Sequence, residues 1–370
     1  MAIRLKDIAS DLGVSVITVS KALRGNTDIS AATRQRVLTR MKELDYQPNL
    51  TARSLATGRS LIVGLVVPDL LNPFFTELAK SLGGALRKHA YGLILSSSDE
   101  DPEIEQAEIR RMLARGVDAL LIASCRPSVQ GFYSVQNHAT PFVLLDKPFP
   151  NLRANFVGTD DYAGGRLATQ HLIQLGRRRL AFIGGQGLDP GLDHAADRFR
   201  GFRDALRDHD IQLRKSFVES SAVLDAPSDN AGYQSMQQLL RGRSRPNGVF
   251  CHNDVIAIGA MKATLDTGLT IPGDIAFVGF DNVRYSRYLQ IPLTSVDQST
   301  ARLGESAAQL ALDLIAGKVH KPRTVLLAPT LVIRQSTIGT ALPRKGAIPT
   351  PATSRRSVRK PAPAKKLPIH

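Results

Sequence analysis

The chain has 370 residues, 43% of them hydrophobic and 22% charged, which excludes a small stapled scaffold and wholesale disorder and leaves room for two or three domains. Its longest apolar stretch, Leu61 to Val67, stops at Pro68 and Asp69, short of the roughly 18–20 residues of a bilayer span, and Arg4, Lys6, Asp7 and Asp11 interrupt the place of a secretory signal, so a cytoplasmic protein without a membrane partner is expected. The net charge of +15 sits at the ends: residues 1–60 carry 10 Lys or Arg against 5 Asp or Glu and residues 341–370 carry 8 against none, a distribution that points to nucleic acid.

Helical spacing predicts three short helices at Leu5 to Leu12, Val16 to Leu23 and Ala31 to Leu44. Ser15 and Ser30 stand as N-caps, and Gly13 and Gly25 supply flexible backbone just after helix ends. Ile8, Leu12, Val19, Leu23, Val37, Leu38, Met41 and Leu44 recur so as to close a miniature core. Ala9, Gly13 and Val19 fall where a helix-turn-helix needs a small contact, a turn and a buried apolar residue, which presents the start of the second helix to the major groove. Val16 and Ile17 then face thymine methyls, and Lys21 reaches guanine acceptors or a phosphate. Ser15, Thr18, Ser20 and Asn26 fit phosphates or caps, which position the protein without reading sequence.

From Leu61 the pattern alternates strand and helix: Leu61 to Val67, Phe74 to His89, Gly92 to Ser96, Glu103 to Ala114, Ala119 to Ala123 and Phe142 to Leu145. It resumes with Tyr162 to Leu175, Leu180 to Ile183, Asp197 to His209, Gly232 to Leu240, Gly248 to Cys251, Asp254 to Thr267 and Ala276 to Gly279. Strands alternating with helices call for parallel sheets with right-handed crossovers, and so many units predict two doubly wound α/β lobes with a cleft between them. After Thr340 the chain turns to Pro, Ala, Ser, Lys and Arg, a composition that cannot bury enough surface to order itself; this tail either holds DNA non-specifically or is a solvated terminus.

The run Thr18-Val19-Ser20, then Tyr46-Gln-Pro-Asn49 with Ala52-Arg-Ser-Leu55, Gly64-Leu-Val-Val-Pro-Asp69, Asn253-Asp254, Gly279-Phe-Asp281 and Pro292-Leu-Thr294 resembles LacI/GalR-family transcriptional regulators in order and spacing up to about residue 340. The resemblance implies a headpiece over 1–48, a hinge helix and linker over 49–60, a two-lobed effector-binding and dimerisation domain like that of periplasmic sugar-binding proteins over 61–340, and a tail over 341–370 that falls outside it. Asn49 can cap the hinge and Gly58 can end it, but so short a helix is unstable alone. The resemblance implies that the hinges of two subunits order together in the minor groove, with Asn49, Ala52 and Arg53 at the DNA and Leu55 wedged between base pairs.

Positional match gives Asp146, Arg198, Asn253, Asp254 and Asp281 as effector-binding residues, with Phe74 as an apolar platform. Carboxylates and a guanidinium offer paired acceptors and forked donors that suit the neighbouring hydroxyls of a sugar or sugar derivative. Lys147 departs from the family wording, in which Arg often follows the aspartate, and lacks the planar fork. Enzymatic readings find no support: Gly184-Gly-Gln-Gly187 meets Pro190 where a dinucleotide fingerprint needs its third glycine, no nucleophile elbow or P-loop occurs, and the eight histidines are scattered. Cys125 and Cys251 read as core residues in a reducing compartment, and no metal or cofactor is expected. The expectation is a homodimeric repressor of a pseudo-palindromic operator under small-molecule control, with a sugar-binding module lacking DNA function as the competing reading; dimer and tetramer stay open.

Overall fold

The structure is a computed structural model that describes residues 3–24, 28–46, 54, 57–126, 129–136, 138–149, 151–184, 194–220 and 228–339. Gly25, Asn26, Asn49, Ala52, Arg53, Leu55, the 185–187 glycine turn and the tail from 341 lie outside these described residues.

The headpiece is three helices, α1 (Leu5–Leu12), α2 (Val16–Arg24) and α3 (Ala31–Glu43). Gly13 closes α1 at φ 64°, a left-handed position that its missing Cβ makes inexpensive. The Ser15 hydroxyl accepts from the Thr18 amide at 3.0 Å and Ser30 from Thr33 at 3.2 Å, so both predicted caps satisfy helix-start donors. Ile8, Ala9, Val19, Ala22, Val37 and Met41 are buried together, with Leu12, Leu23 and Leu44 packed on them. Leu38 corrects the expected core: it is 38% exposed, because Val37 already holds the inward position and the next residue turns about 100° around the helix.

Two six-stranded sheets form the body. Lobe 1 orders its strands β11-β5-β4-β3-β1-β2, all parallel, from β1 (Ile62–Val67), β2 (Gly92–Ser97), β3 (Ala119–Ala123), β4 (Phe142–Leu145), β5 (Asn155–Thr159) and β11 (Thr324–Leu327). Lobe 2 orders β12-β10-β9-β8-β6-β7, from β6 (Leu180–Gly184), β7 (Val218–Ser220), β8 (Gly248–Cys251), β9 (Ala276–Phe280), β10 (Thr294–Asp297) and β12 (Thr330–Val332), parallel except for β12 against β10. Helices α4 (Pro73–Arg87), α5 (Pro102–Ala114) and α10 (Thr300–Ile315) flank the first sheet, and α6 (Asp161–Gln174), α7 (His194–Arg207), α8 (Ser228–Arg241) and α9 (Asp254–Asp266) flank the second. Strands such as β1, β3, β6, β8 and β9 are apolar on both faces because helices cover both. The two-lobe expectation holds, while β5, β7, β10, β11, β12 and α10 extend the elements read from the sequence.

The chain passes between lobes three times: from β5 into α6, from β10 into α10, and from β11 into β12. In lobe 2, α6 and α7 approach at two glycines. A Cβ at Gly201 would stand 2.3 Å from the Tyr162 carbonyl oxygen, and one at Gly165 would stand 2.2 Å from the Arg198 carbonyl oxygen. Only bare backbone allows that contact, which holds Arg198 in place at the mouth of lobe 2. Gly201→Ala is expected to destabilise the protein by about 1–3 kcal/mol through overpacking; a thermal melt that matches wild type would show that the helices separate at no cost.

Candidate functional site

The reading helix presents its apolar start to solvent. Val16 is 45% exposed and Ile17 67%, on a headpiece whose own core is already closed beneath them. Ser15 is spent on capping, and its hydroxyl also pairs with Thr18 Oγ1 at 2.9 Å. Lys21 Nζ meets Asp28 Oδ2 at 2.5 Å, a bond that holds the Asp28 carboxyl below its usual range; Thr18 and Ser20 are half-buried. The structure therefore gathers Val16, Ile17 and Lys21 on α2 and joins Ser15 to Thr18 in the cap at its start.

Because parallel strands share a direction, the loops after β4, β6, β8 and β9 gather at the carboxyl edges of the sheets, the side where such folds hold ligands. Arg198 on α7 is buried there, 2% exposed. Its Nε donates to Asp161 Oδ1 at 2.7 Å and its Nη1 to the His252 carbonyl at 2.7 Å, while Nη1 stands 4.0 Å from Asp281 Oδ1. The guanidinium lies over the Phe280 ring, 3.7 Å from the centroid. Burial opposes its charge, but the fields of Asp161, Asp281 and Asp146 outweigh burial and raise its pKa. Asp146 belongs to lobe 1, so this electrostatic cluster spans both lobes.

Asp281 is held at φ 99° and its Oδ1 accepts from Gln298 Nε2 at 2.7 Å. Burial drives its carboxyl well above the ordinary range even with Arg198 beside it, since Asp161 is the nearer counter-ion. Asn253 caps α9, accepting from the Ile256 amide at 2.8 Å. Asp254 is fully buried: Oδ2 accepts from the Val283 amide at 2.9 Å and the Ser286 hydroxyl at 2.5 Å, and Oδ1 from Ser295 at 2.6 Å. Asp254 thereby fastens the turn that carries Asp281 and Val283 to β10. Gly279 is its floor, since a Cβ there would fall 2.1 Å from Asp254 Oδ1. Phe74 sits 3% exposed at the start of α4, edge-on to Phe75, within the core of lobe 1.

Lys147 is buried and donates to the Arg126 carbonyl at 2.9 Å, so the departure from arginine serves the lobe 1 interior. Sequence reasoning missed Asp161 and Gln298. Asp161 follows the Asp160 N-cap in the first turn of α6, and the pair of acids at a helix start was the one visible signal. Cys251 is buried and its thiol pushed up by burial; Cys125, bonded to Glu105, is pushed up to about 12, chiefly by burial, so neither is a reactive thiolate. Among the described residues no group of three or more His, Cys, Asp or Glu could hold a metal ion.

Burial raises the Asp254 carboxyl from 3.8 to about 7. Between these values the folded state holds a proton the unfolded chain has lost, so the contribution of Asp254 to stability falls as pH rises through that window. Wild type is expected to lose roughly 2–3 kcal/mol more than Asp254→Asn between pH 5 and pH 8. Parallel urea titrations of both proteins at the two pH values check this, and identical pH dependence would remove Asp254 as the titrating group.

The description "Bacterial regulatory proteins, lacI family" matches residues 4–49, and "Periplasmic binding protein-like domain" matches residues 169–337. The transcriptional repressor PurR of Erwinia tasmaniensis is 34% identical over 336 residues, covering 90% of this chain and 96% of that protein. The Lac repressor dimer bound to operator and the anti-inducer ONPF superposes with a TM-score of 0.80 at 27% identity, over 91% of this chain and 99% of that one. A LacI family regulator from Enterococcus faecium with bound ribose gives a TM-score of 0.65 at 31% identity, over 75% of this chain and 98% of that one. No helix among the described residues is long and apolar enough to cross a membrane. A helix-turn-helix headpiece joined to two doubly wound lobes, in the order and nearly the full length of these repressors, makes the chain a member of the LacI family of bacterial transcriptional regulators.

Proposed function

We propose that the protein acts in the cytoplasm as a homodimeric repressor that binds a pseudo-palindromic operator and is controlled by a sugar or sugar derivative held between its lobes. The observation that carries the reading is the exposed Val16–Ile17 pair at the start of α2, two apolar side chains on a headpiece whose core is complete without them. Such residues suit thymine methyls in a major groove. Lys21 would exchange Asp28 for a guanine edge or a phosphate, and Ser15, Thr18, Ser20 and Asn26 would fix the helix on the backbone. The hinge residues Asn49, Ala52, Arg53 and Leu55 would enter the minor groove of the kinked duplex.

For the effector, Asp146, Arg198 and Asp281 are the groups that meet vicinal hydroxyls, with Asn253 and, from the apolar core of lobe 1, Phe74 as further contacts and Asp254 acting through the turn it fastens. The ribose in the Enterococcus faecium regulator supports a polyhydroxylated ligand. An effector touching both Asp146 and Arg198 binds one lobe arrangement better than another, and only that difference can shift the DNA-bound population. A coupling of about 1–3 kcal/mol alters operator affinity roughly 5- to 150-fold.

Sequencing genomic fragments retained by the purified protein, with and without a pool of sugars and sugar phosphates, should yield a palindromic motif whose recovery responds to one compound. Recovery without sequence preference would favour a sugar-binding module with no specific DNA role. On that motif, Ile17→Ala should cost about 1–3 kcal/mol of operator affinity with no change in melting; an equal loss on random DNA would remove Ile17 from the reading surface. Arg198→Lys keeps the charge but loses the fork. Titration of the effector found above should show binding weakened by about tenfold or more, roughly 1.4 kcal/mol, and unaltered binding would take Arg198 out of the ligand site.

A further inference from the structure

We propose that lobe 2 carries a second duplex-DNA docking face, on the strand edge opposite the effector cluster, so that a protein bound to its operator can hold another DNA segment. The inference rests on the DNA-binding reading of the headpiece but concerns different residues. Strands β6, β7, β8 and β9 are parallel, with Leu180 paired to Gly248, Gly248 to Ala276 and Phe182 to Val218. The segments that precede them, 177–179, 208–217, 241–247 and 272–275, therefore lie side by side along one edge, the amino edge of the sheet. Bonds between the segments confirm it. Arg179 Nε donates to the Arg245 carbonyl at 2.8 Å, Arg214 Nη1 to Ser244 at 3.0 Å, Arg178 Nη1 to the His209 carbonyl at 3.4 Å, and Arg177 to the carbonyls of Pro272 and Gly273.

This edge is strongly basic. The triplet Arg177-Arg178-Arg179 opens it, Arg214 and Lys215 follow on the β7 side, and Arg241, Arg243 and Arg245 stand before β8. All but Arg177 are exposed, and among the described residues none of the eight forms an ion pair with a carboxylate. The acids on the same edge are Asp208, Asp210 and Asp274. Asp208 is engaged by Arg166 at 2.7 Å, and Asp274 accepts from the Thr270 amide and hydroxyl at 2.7 and 2.6 Å, leaving Asp210 as the one anion that the eight cations face without such a partner among the described residues. Seven of the eight cations are arginines, whose planar forks match phosphate oxygens bidentately.

The turn Gln335–Ile338 is docked on lobe 2 by Ser336 donating to the Phe277 carbonyl at 2.6 Å and by His171 meeting Thr337 at 2.9 Å. A Cβ on Gly339 would lie 3.6 Å from Pro272, the residue whose carbonyl Arg177 binds. The segment 341–370 carries eight Lys or Arg and no acid. The linker from the headpiece enters instead at the start of β1 in lobe 1, where Ser60 and Leu61 are held by Asp118. The two basic regions are attached to different lobes, and duplex DNA, which carries one phosphate charge per about 1.7 Å of axis, is the polyanion that matches both.

The test loads full-length protein on an immobilised operator duplex and offers a second, labelled duplex of random sequence at low salt. Wild type should capture the second duplex. Arg178→Ser/Arg241→Ser/Arg243→Ser/Arg245→Ser, and separately a chain ending at Gly339, should each capture less while staying on the operator, and the combination should capture none. In solution, the salt dependence of binding to the random duplex should flatten by about 0.9 in log–log slope for every phosphate contact removed. That second readout needs no operator, so failure of the headpiece reading shows as no retention on the first duplex while the slope still decides the proposal. If the serine variant melts early, Arg178→Gln/Arg241→Gln/Arg243→Gln/Arg245→Gln, which loses the same charges but keeps long polar side chains, decides in its place. Capture by wild type that the four substitutions do not reduce overturns the proposal, whether or not the truncation reduces it, as does absence of capture; binding of polyglutamate without binding of duplex also overturns it and would assign the edge to an acidic protein.

Discussion

The buried guanidinium of Arg198 is the interaction on which the body's arrangement turns. A charge taken out of water is tolerated only when paired and hydrogen-bonded, and Arg198 meets that demand by drawing on four separate elements: Asp161 from α6, the His252 carbonyl at the start of α9, Asp281 after β9, and the field of Asp146 after β4. Three of these come from lobe 2 and one from lobe 1. Removing one partner leaves an uncompensated buried charge, an imbalance of about 3–5 kcal/mol. On the proposed reading, a ligand that took over part of this coordination would alter the balance between the lobes.

Supporting layers serve that one group. The glycine contact of α6 and α7 fixes the backbone of Arg198, Phe280 supplies its stacking face, and Asp254 anchors the turn on which Asp281 is held with positive φ. Three donors converge on the Asp254 carboxylate, which keeps a strained turn in register with β10. The proposed effector site thus joins a cluster fixed within lobe 2 to a residue of lobe 1, Asp146. Conversely, the headpiece is almost self-sufficient, with its own core and with Arg40 tying α3 to α1 through Asp11 at 2.8 Å.

Much of this was legible in the sequence because period and chemistry agreed. The headpiece helices begin where Ser15 and Ser30 cap them, and α1 ends at Gly13, whose left-handed backbone is the physical meaning of that glycine. The strands that are apolar on both faces stood out for the same reason that they are buried. Elements without such contrast escaped: β7 and β12 have three residues each, β5 contains Asn155 and Gly158, and β10 reads Thr-Ser-Val-Asp. Their strand state is imposed by the neighbours they pair with and not by local propensity. Resemblance pointed to Arg198, Asp146 and Asp281, which the fold brings into one electrostatic cluster. Asp161 was not, since an acid in a helix's first turn ordinarily complements the helix dipole, and only the folded chain shows it answering an arginine 37 residues later.

The brevity of the three interlobe passages limits how the protein can move. A single residue, Asp160, separates β5 from α6, two separate β10 from α10, and Ala328 and Pro329 alone separate β11 in one sheet from β12 in the other. Two residues span at most about 7 Å, and Pro329 has its φ fixed. With three such tethers, sliding or wholesale separation of the lobes is kinematically closed to the chain. Rotation of one lobe against the other about the passages is the motion that such short tethers leave open, and β1, which receives the linker from the headpiece, belongs to the lobe that would turn.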